Sequence, residues 1–77
     1  MHLMLETIIK IISEQLAIDE ENINANSALT DDFGADSLDM VEILMAIETE
    51  TGVNIPDEVA VDLKTVGDLV AAVEAKA

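Results

Sequence analysis

The sequence has no cysteine and no arginine, a single histidine, a single aromatic residue and only three basic side chains. Each scarcity excludes something. Without cysteine there is no disulfide framework, no thiolate ligand and no thiol nucleophile. The one imidazole, His2, sits at an N-terminus expected to fray. A Ser/His or Cys/His nucleophilic site therefore cannot be built in the usual way, and no catalytic residue is expected. Lys10, Lys64 and Lys76 face seventeen aspartates and glutamates, for a formal charge of −14, and nothing basic lies between Lys10 and Lys64. A field of one sign repels nucleic acid and anionic lipid. It attracts basic protein surfaces, with salt-sensitive association rates. No apolar run approaches the length of a membrane span. Met1-His2-Leu3-Met4-Leu5 also lacks the basic region and small-residue cleavage site of a signal peptide. A cytoplasmic protein with no membrane insertion is expected.

What remains is aliphatic and acidic. Seventy-seven residues suit one small domain, residues 1–77, and a hydrophobic fraction of 51% places it outside the disordered class despite its charge. Leu5, Ile8, Ile9, Ile12 and Leu16 recur at helical spacing and predict a helix over about 3–16, with Met1 and Met4 as extra core contacts. From Ala17 to Asp36 the pattern breaks into turn and cap formers, punctuated by Ile18, Ile23, Leu29 and Phe33. A loop this long in a small domain is functional or pinned down, and those four residues are its expected anchors. Phe33 is placed as the plug of the core beneath Ser37.

The chain is organised around Gly34-Ala35-Asp36-Ser37-Leu38-Asp39-Met40-Val41-Glu42. Asp36 stands where an N-cap belongs, and Asp39 follows three residues later in a capping-box arrangement. Ser37 then falls in the first turn of a helix expected to reach Thr51 and stop at Gly52. Backbone N–H groups there are unpaired and the dipole favours negative charge. A phosphate esterified to Ser37 would find its donors in place. At about 100° per residue the helix carries two apolar stripes. Met40, Ile43, Leu44 and Ile47 form one, assigned to the core. Leu38, Val41 and Met45 form the other, edged by Asp39 and Glu42, with Glu48 near the boundary. A core helix needs one stripe. The second has the composition of an interaction surface, the alternative being a helix buried on both sides. Val53-Asn54-Ile55-Pro56 leads into a short helix over Asp57–Leu63 with Pro56 at its first position. Thr65-Val66-Gly67-Asp68 forms a capping box for a last helix whose apolar face is Val66, Leu69, Val70 and Val73. Asp31, Asp32, Asp36 and Asp39 lack the pattern of an EF-hand loop, so weak cation binding is expected there and no dedicated metal site.

By itself, Asp-Ser-Leu reads as a capped helix start. The full run from Gly34 to Glu42, with Ile55-Pro56-Asp57-Glu58 downstream, resembles the acyl carrier proteins of dissociated (type II) fatty-acid synthesis. The resemblance covers essentially the whole chain. It implies an all-α small four-helix bundle, three longer helices plus one short, with a long loop between the first two. It implies that Ser37, beside Asp36, carries 4′-phosphopantetheine, installed by a phosphopantetheinyl transferase (holo-acyl-carrier-protein synthase). The monomeric carrier would present a growing fatty acyl thioester to ketosynthase, malonyl transferase, reductases and dehydratase. Leu38, Asp39, Val41, Glu42, Met45 and Glu48 would form the partner-binding face. Two other readings stand beside this one: a specialised carrier for polyketide, aminoacyl or D-alanyl transfer, and an unmodified acidic interaction module. One departure from the family is Thr51, where many members place a bulky apolar residue, often an aromatic. Its side chain is expected to point to the core and to bond back to the Ile47 carbonyl, with an effect on stability or acyl-chain capacity.

Overall fold

The computed structural model describes residues 3–76, with four α-helices and no strand among them. Helix α1 spans Met4–Leu16, α2 Ser37–Thr51, α3 Asp57–Ala60 and α4 Val66–Lys76, and a 3₁₀ turn at Glu20–Asn22 interrupts the first loop. Met1 and His2 lie outside the described residues, so the core contact expected of Met1 is not among those seen. Met4 is half-buried against the core.

Helix α1 packs on both α2 and α4. That double engagement widens its buried arc. Ile8, Ile11 and Ile12 are buried, while Leu5, Ile9 and Leu16 are only half-buried. The helix stops without glycine: Ala17 takes the left-handed conformation (φ 56°). The Ile18 N–H reaches back to the Ser13 carbonyl at 3.2 Å, and the Ser13 hydroxyl donates to the Ile18 carbonyl. The Ala17 and Ile18 N–H groups thus share the Ser13 carbonyl, one of the last four of the helix, and the Ser13 hydroxyl ties the following chain back to it.

Of the four loop anchors, Ile23 and Leu29 are buried, and Ile18 and Phe33 are half-buried against the core. The loop is also tied by its backbone. Leu29 N–H donates to the Lys64 carbonyl (2.9 Å), Val66 N–H to Ser27 (3.0 Å) and Gly67 N–H to Ala25 (2.8 Å), around an antiparallel bridge between Ala28 and Thr65. This strap joins the loop ahead of Ser37 to the start of α4. It leaves no room at position 67, where a Cβ would sit 3.0 Å from the Ala25 carbonyl oxygen.

Helix α2 buries Ile43 and Ile47 completely, ends at Gly52 (φ 76°) and closes with a Gly52 N–H to Glu48 carbonyl bond of 2.8 Å. The Thr51 hydroxyl donates to the Ile47 carbonyl at 2.7 Å, as expected, and also accepts from the Val53 N–H at 3.2 Å. It thereby bridges the helix end to the following loop, a task an aromatic side chain there could not perform. Helix α3 is shorter than the expected Asp57–Leu63. Its helical residues end at Ala60; the Val61 N–H still bonds four residues back to Asp57, and those of Asp62 and Leu63 bond three residues back to Val59 and Ala60. Beyond that end Val61 is 75% exposed, while Leu63 is half-buried against the core. Pro56 is the N-cap of α3, one position before the expected one, and its carbonyl accepts from Val59 and Ala60.

Helix α4 begins at the predicted capping box. Asp68 accepts from the Lys64 and Thr65 N–H groups at 3.1 and 3.2 Å, and the Thr65 hydroxyl accepts from the Asp68 N–H at 3.1 Å. The Lys64 N–H, then the Thr65 N–H and hydroxyl and the Lys64 charge, hold the Asp68 carboxyl below its ordinary value against slight desolvation. A group whose folded pKa is lowered stabilises the fold fully above the unfolded value and ceases to do so as pH falls through the folded one. The stability difference between wild type and Asp68→Ala is therefore expected to be flat above the ordinary Asp value of about 3.9. It should shrink in more acidic solution. A difference constant down to about pH 2 in denaturant titrations would show that the charge of this carboxylate contributes nothing.

The buried core draws Val66, Leu69, Val70 and Val73 from α4 and Val53 and Ile55 from the α2–α3 loop, and it is aliphatic throughout. Ile43→Ala, at a fully buried position, is expected to cost about 2–5 kcal/mol. The whole domain holds on the order of 4–12 kcal/mol. Met45→Ala, at a 62% exposed position, should stay within about 0.5 kcal/mol of wild type. Equal costs in urea titrations would erase the distinction between the two stripes of α2.

Candidate functional site

The local sequence builds the start of α2 as a closed unit. Asp36 is extended (φ −99°, ψ −174°), and its carboxylate accepts the Asp39 N–H at 2.9 Å. The Asp39 carboxylate accepts the Asp36 N–H in return at 3.1 Å. Gly34 precedes this box in the left-handed conformation (φ 68°) that turns the loop into the helix. Ser37 occupies the first helical position and is exposed. Its own N–H and that of Leu38 belong to the turn that lacks intrahelical acceptors. An anion on the Ser37 hydroxyl thus meets two backbone donors at the positive end of the helix.

A groove of about 540 Å³ opens beside Ser37. Ala35, Met40 and Leu44 line it from one side, and Ala60, Val61 and Leu63 from the α3 side. Its volume is in the range of small-ligand sites. Met40 and Leu44, assigned to the core by their place on the helical wheel, are half-buried and face this groove. Phe33, expected beneath Ser37, is half-buried against the core, and the buried Ala35 and half-buried Met40 line the groove beside Ser37. The α3 lining was not anticipated from sequence. Its only signal was a short segment, Val59 to Leu63, with more apolar residues than one core contact requires. A second cleft, of about 440 Å³, shares no residue with the first and is walled chiefly by Glu6, Glu14, Glu20 and Glu50. Its carboxylates make it the poorer host for an apolar chain.

The predicted outer stripe lies on the surface. Leu38, Val41 and Met45 are 65%, 45% and 62% exposed. Asp39 flanks them from within the capping box, Glu42 accepts from the Gln15 amide at 2.8 Å, and Glu48 accepts from the Asn54 amide at 3.2 Å. The structure thus brings all eight predicted site residues onto one helix and its cap. Of the loop acids, Asp32 accepts the Ala28 N–H, and among the described residues no group of three or more potential ligands is placed to hold a metal ion. No helix among the described residues is long and apolar enough to cross a membrane.

Comparison with known proteins agrees with this geometry. A family model for the phosphopantetheine attachment site matches residues 6–73. An acyl carrier protein of Clostridium perfringens (strain SM101 / Type A) is 48% identical over 67 residues, 87% of this chain and 88% of that relative. Among solved structures, a candidate acyl carrier protein of Mycobacterium tuberculosis superposes with a TM-score of 0.85 at 35% identity, covering 94% of this chain and 96% of that one. A family match over most of the chain, a relative named for the same role and a shared helical fold converge: the chain belongs to the acyl carrier proteins, non-enzymatic carriers of the phosphopantetheine-attachment family.

Proposed function

We propose that Ser37 is the residue that receives 4′-phosphopantetheine and that the carrier serves fatty-acid synthesis in the cytoplasm. One observation carries this reading: an exposed serine at the first position of a capped helix, with an apolar groove opening beside it. The residues present fit the group. The Ser37 and Leu38 N–H groups and the helix dipole favour the phosphodiester, and Ala35, Met40, Leu44 and Leu63 offer an apolar wall to an acyl chain. When bound, the group supplies the thiol this chain lacks, on which an acyl chain is held as a thioester.

The chain's own residues then have three tasks. Asp36 and Asp39 fix the helix start, so the Ser37 hydroxyl is presented to a phosphopantetheinyl transferase in one orientation. The short α3 and the groove residues shelter an apolar chain. Leu38, Val41 and Met45 dock on shallow apolar grooves of partner enzymes, and Asp39, Glu42 and Glu48 meet their basic patches. A shuttle must let go, so these interfaces should be small and steered by charge. The 48% identical relative and the density of acids on α2 favour fatty-acid synthesis over the specialised carriers.

Incubated with coenzyme A, Mg²⁺ and a broad-specificity phosphopantetheinyl transferase, the folded chain should gain the mass of one phosphopantetheine. No gain, with helical circular dichroism intact, would leave the unmodified acidic module as the better reading.

A further inference from the structure

The acids of the outer stripe are not free to swing. Each has one carboxylate oxygen held by an N–H donor of the same chain: Asp39 by the Asp36 backbone, Glu42 by the Gln15 side chain, and Glu48 by the Asn54 side chain. Two of those donors come from outside α2 and its cap. Gln15 stands near the C-terminal end of α1, 27 residues away in sequence, and Asn54 in the loop after α2. A carboxylate can only accept, so each amide turns its NH₂ group to the glutamate. Such a bond fixes the side chain's rotamer yet leaves its charge intact, because the donor is neutral. A lysine in the same place would fix it and cancel the field at once. None of Lys10, Lys64 and Lys76 lies on α2.

From this we infer that Gln15, and Asn54 in the parallel position, are positioning residues for partner recognition. They hold Glu42 and Glu48 pointed outward at full charge, with the second carboxylate oxygen left for a basic side chain of the partner. Binding then orders fewer rotamers at the interface, and ordering a long side chain is one of the recurring costs of association. The inference rests on the proposed docking of the acidic face of α2 and adds to it two residues that lie outside that helix.

The test is a loading assay with the transferase and coenzyme A, read as KM for the carrier and kcat. Gln15→Met keeps the length and packing of the side chain and removes the donor. Its KM should rise about two- to tenfold, the weight of one unordered side chain, with kcat unchanged. Glu42→Ala should raise KM as well, and adding Gln15→Met to Glu42→Ala should then change nothing further. An unchanged KM in Gln15→Met overturns the inference while wild-type loading leaves the carrier reading standing. So does a loss confined to kcat, or an equal factor in both backgrounds, which would mean that Gln15 touches the partner itself. A wild type that is not loaded removes both readings together. Asn54→Ala against Glu48→Ala repeats the cycle at the second pair.

Discussion

Ser37→Ala is expected to abolish phosphopantetheine loading completely while leaving the fold as stable as wild type. The chain has three serines, and the structure separates them. The Ser13 hydroxyl donates to the Ile18 carbonyl at the end of α1, and Ser27 is buried with its oxygen accepting the Asn24 N–H. Only Ser37 is exposed at a helix start. Its hydroxyl takes part in none of the side-chain hydrogen bonds that close the cap, which run between Asp36 and Asp39. Alanine is also a better helix former than serine, by a few tenths of a kcal/mol. The thermal midpoint should therefore hold or rise slightly. Loss of loading with the midpoint preserved can only be loss of the acceptor oxygen. A Ser37→Ala chain that still gains the mass of the arm would move the attachment to another residue. Residual loading of wild type below one equivalent would point to an unfolded fraction, which the same circular dichroism sample reports.

Much of this arrangement was legible in the sequence, and the remainder has identifiable physical causes. The start of α2, its end at Gly52 and the capping box of α4 are local, set by residues within one turn of each other, and they stand where the sequence placed them. The two stripes of α2 were legible because the exposed one contains three apolar residues that a single core contact does not need. Long-range register was not legible. Nothing in the sequence pairs Ala28 with Thr65, since neither lies in a periodic segment, and the strap they form depends on where α4 docks. The same applies to Gln15 and Glu42: their bond requires the turn of α1 that faces α2, and the hydrophobic wheel leaves that undetermined. Ile11 was missed because α1 is clasped by two helices, and a single-stripe template draws the arc too narrow. The stop of α1 after Leu16 stands where the sequence placed it, but the left-handed conformation of Ala17 was not read, because such a residue is sought at glycine, and here the Ser13 and Ile18 bonds hold it.

Reversing two charges on the acidic face should have the second largest effect. The double variant Glu42→Lys with Glu48→Lys is expected to slow loading by the transferase about 10- to 1,000-fold at low salt, the span over which electrostatic steering changes association rates. Unfolding cannot account for such a loss. Both positions are exposed, and the two hydrogen bonds removed lie at the surface, where each is worth little. Each replacement adds two units of charge, so the formal net charge moves from −14 to −10 and self-repulsion falls. The thermal midpoint should hold or rise even as the rate collapses. Salt separates the steering effect from lost contacts. Added salt screens attraction between exposed charges over roughly 8–10 Å at physiological strength. Wild-type loading should therefore slow as salt is added, and the gap between wild type and variant should narrow. A gap that stays the same at high salt would assign the loss to short-range contacts of Glu42 and Glu48. A gap of less than about threefold at low salt would mean that the partner does not read this face by charge, for steering by two reversed carboxylates cannot be so weak.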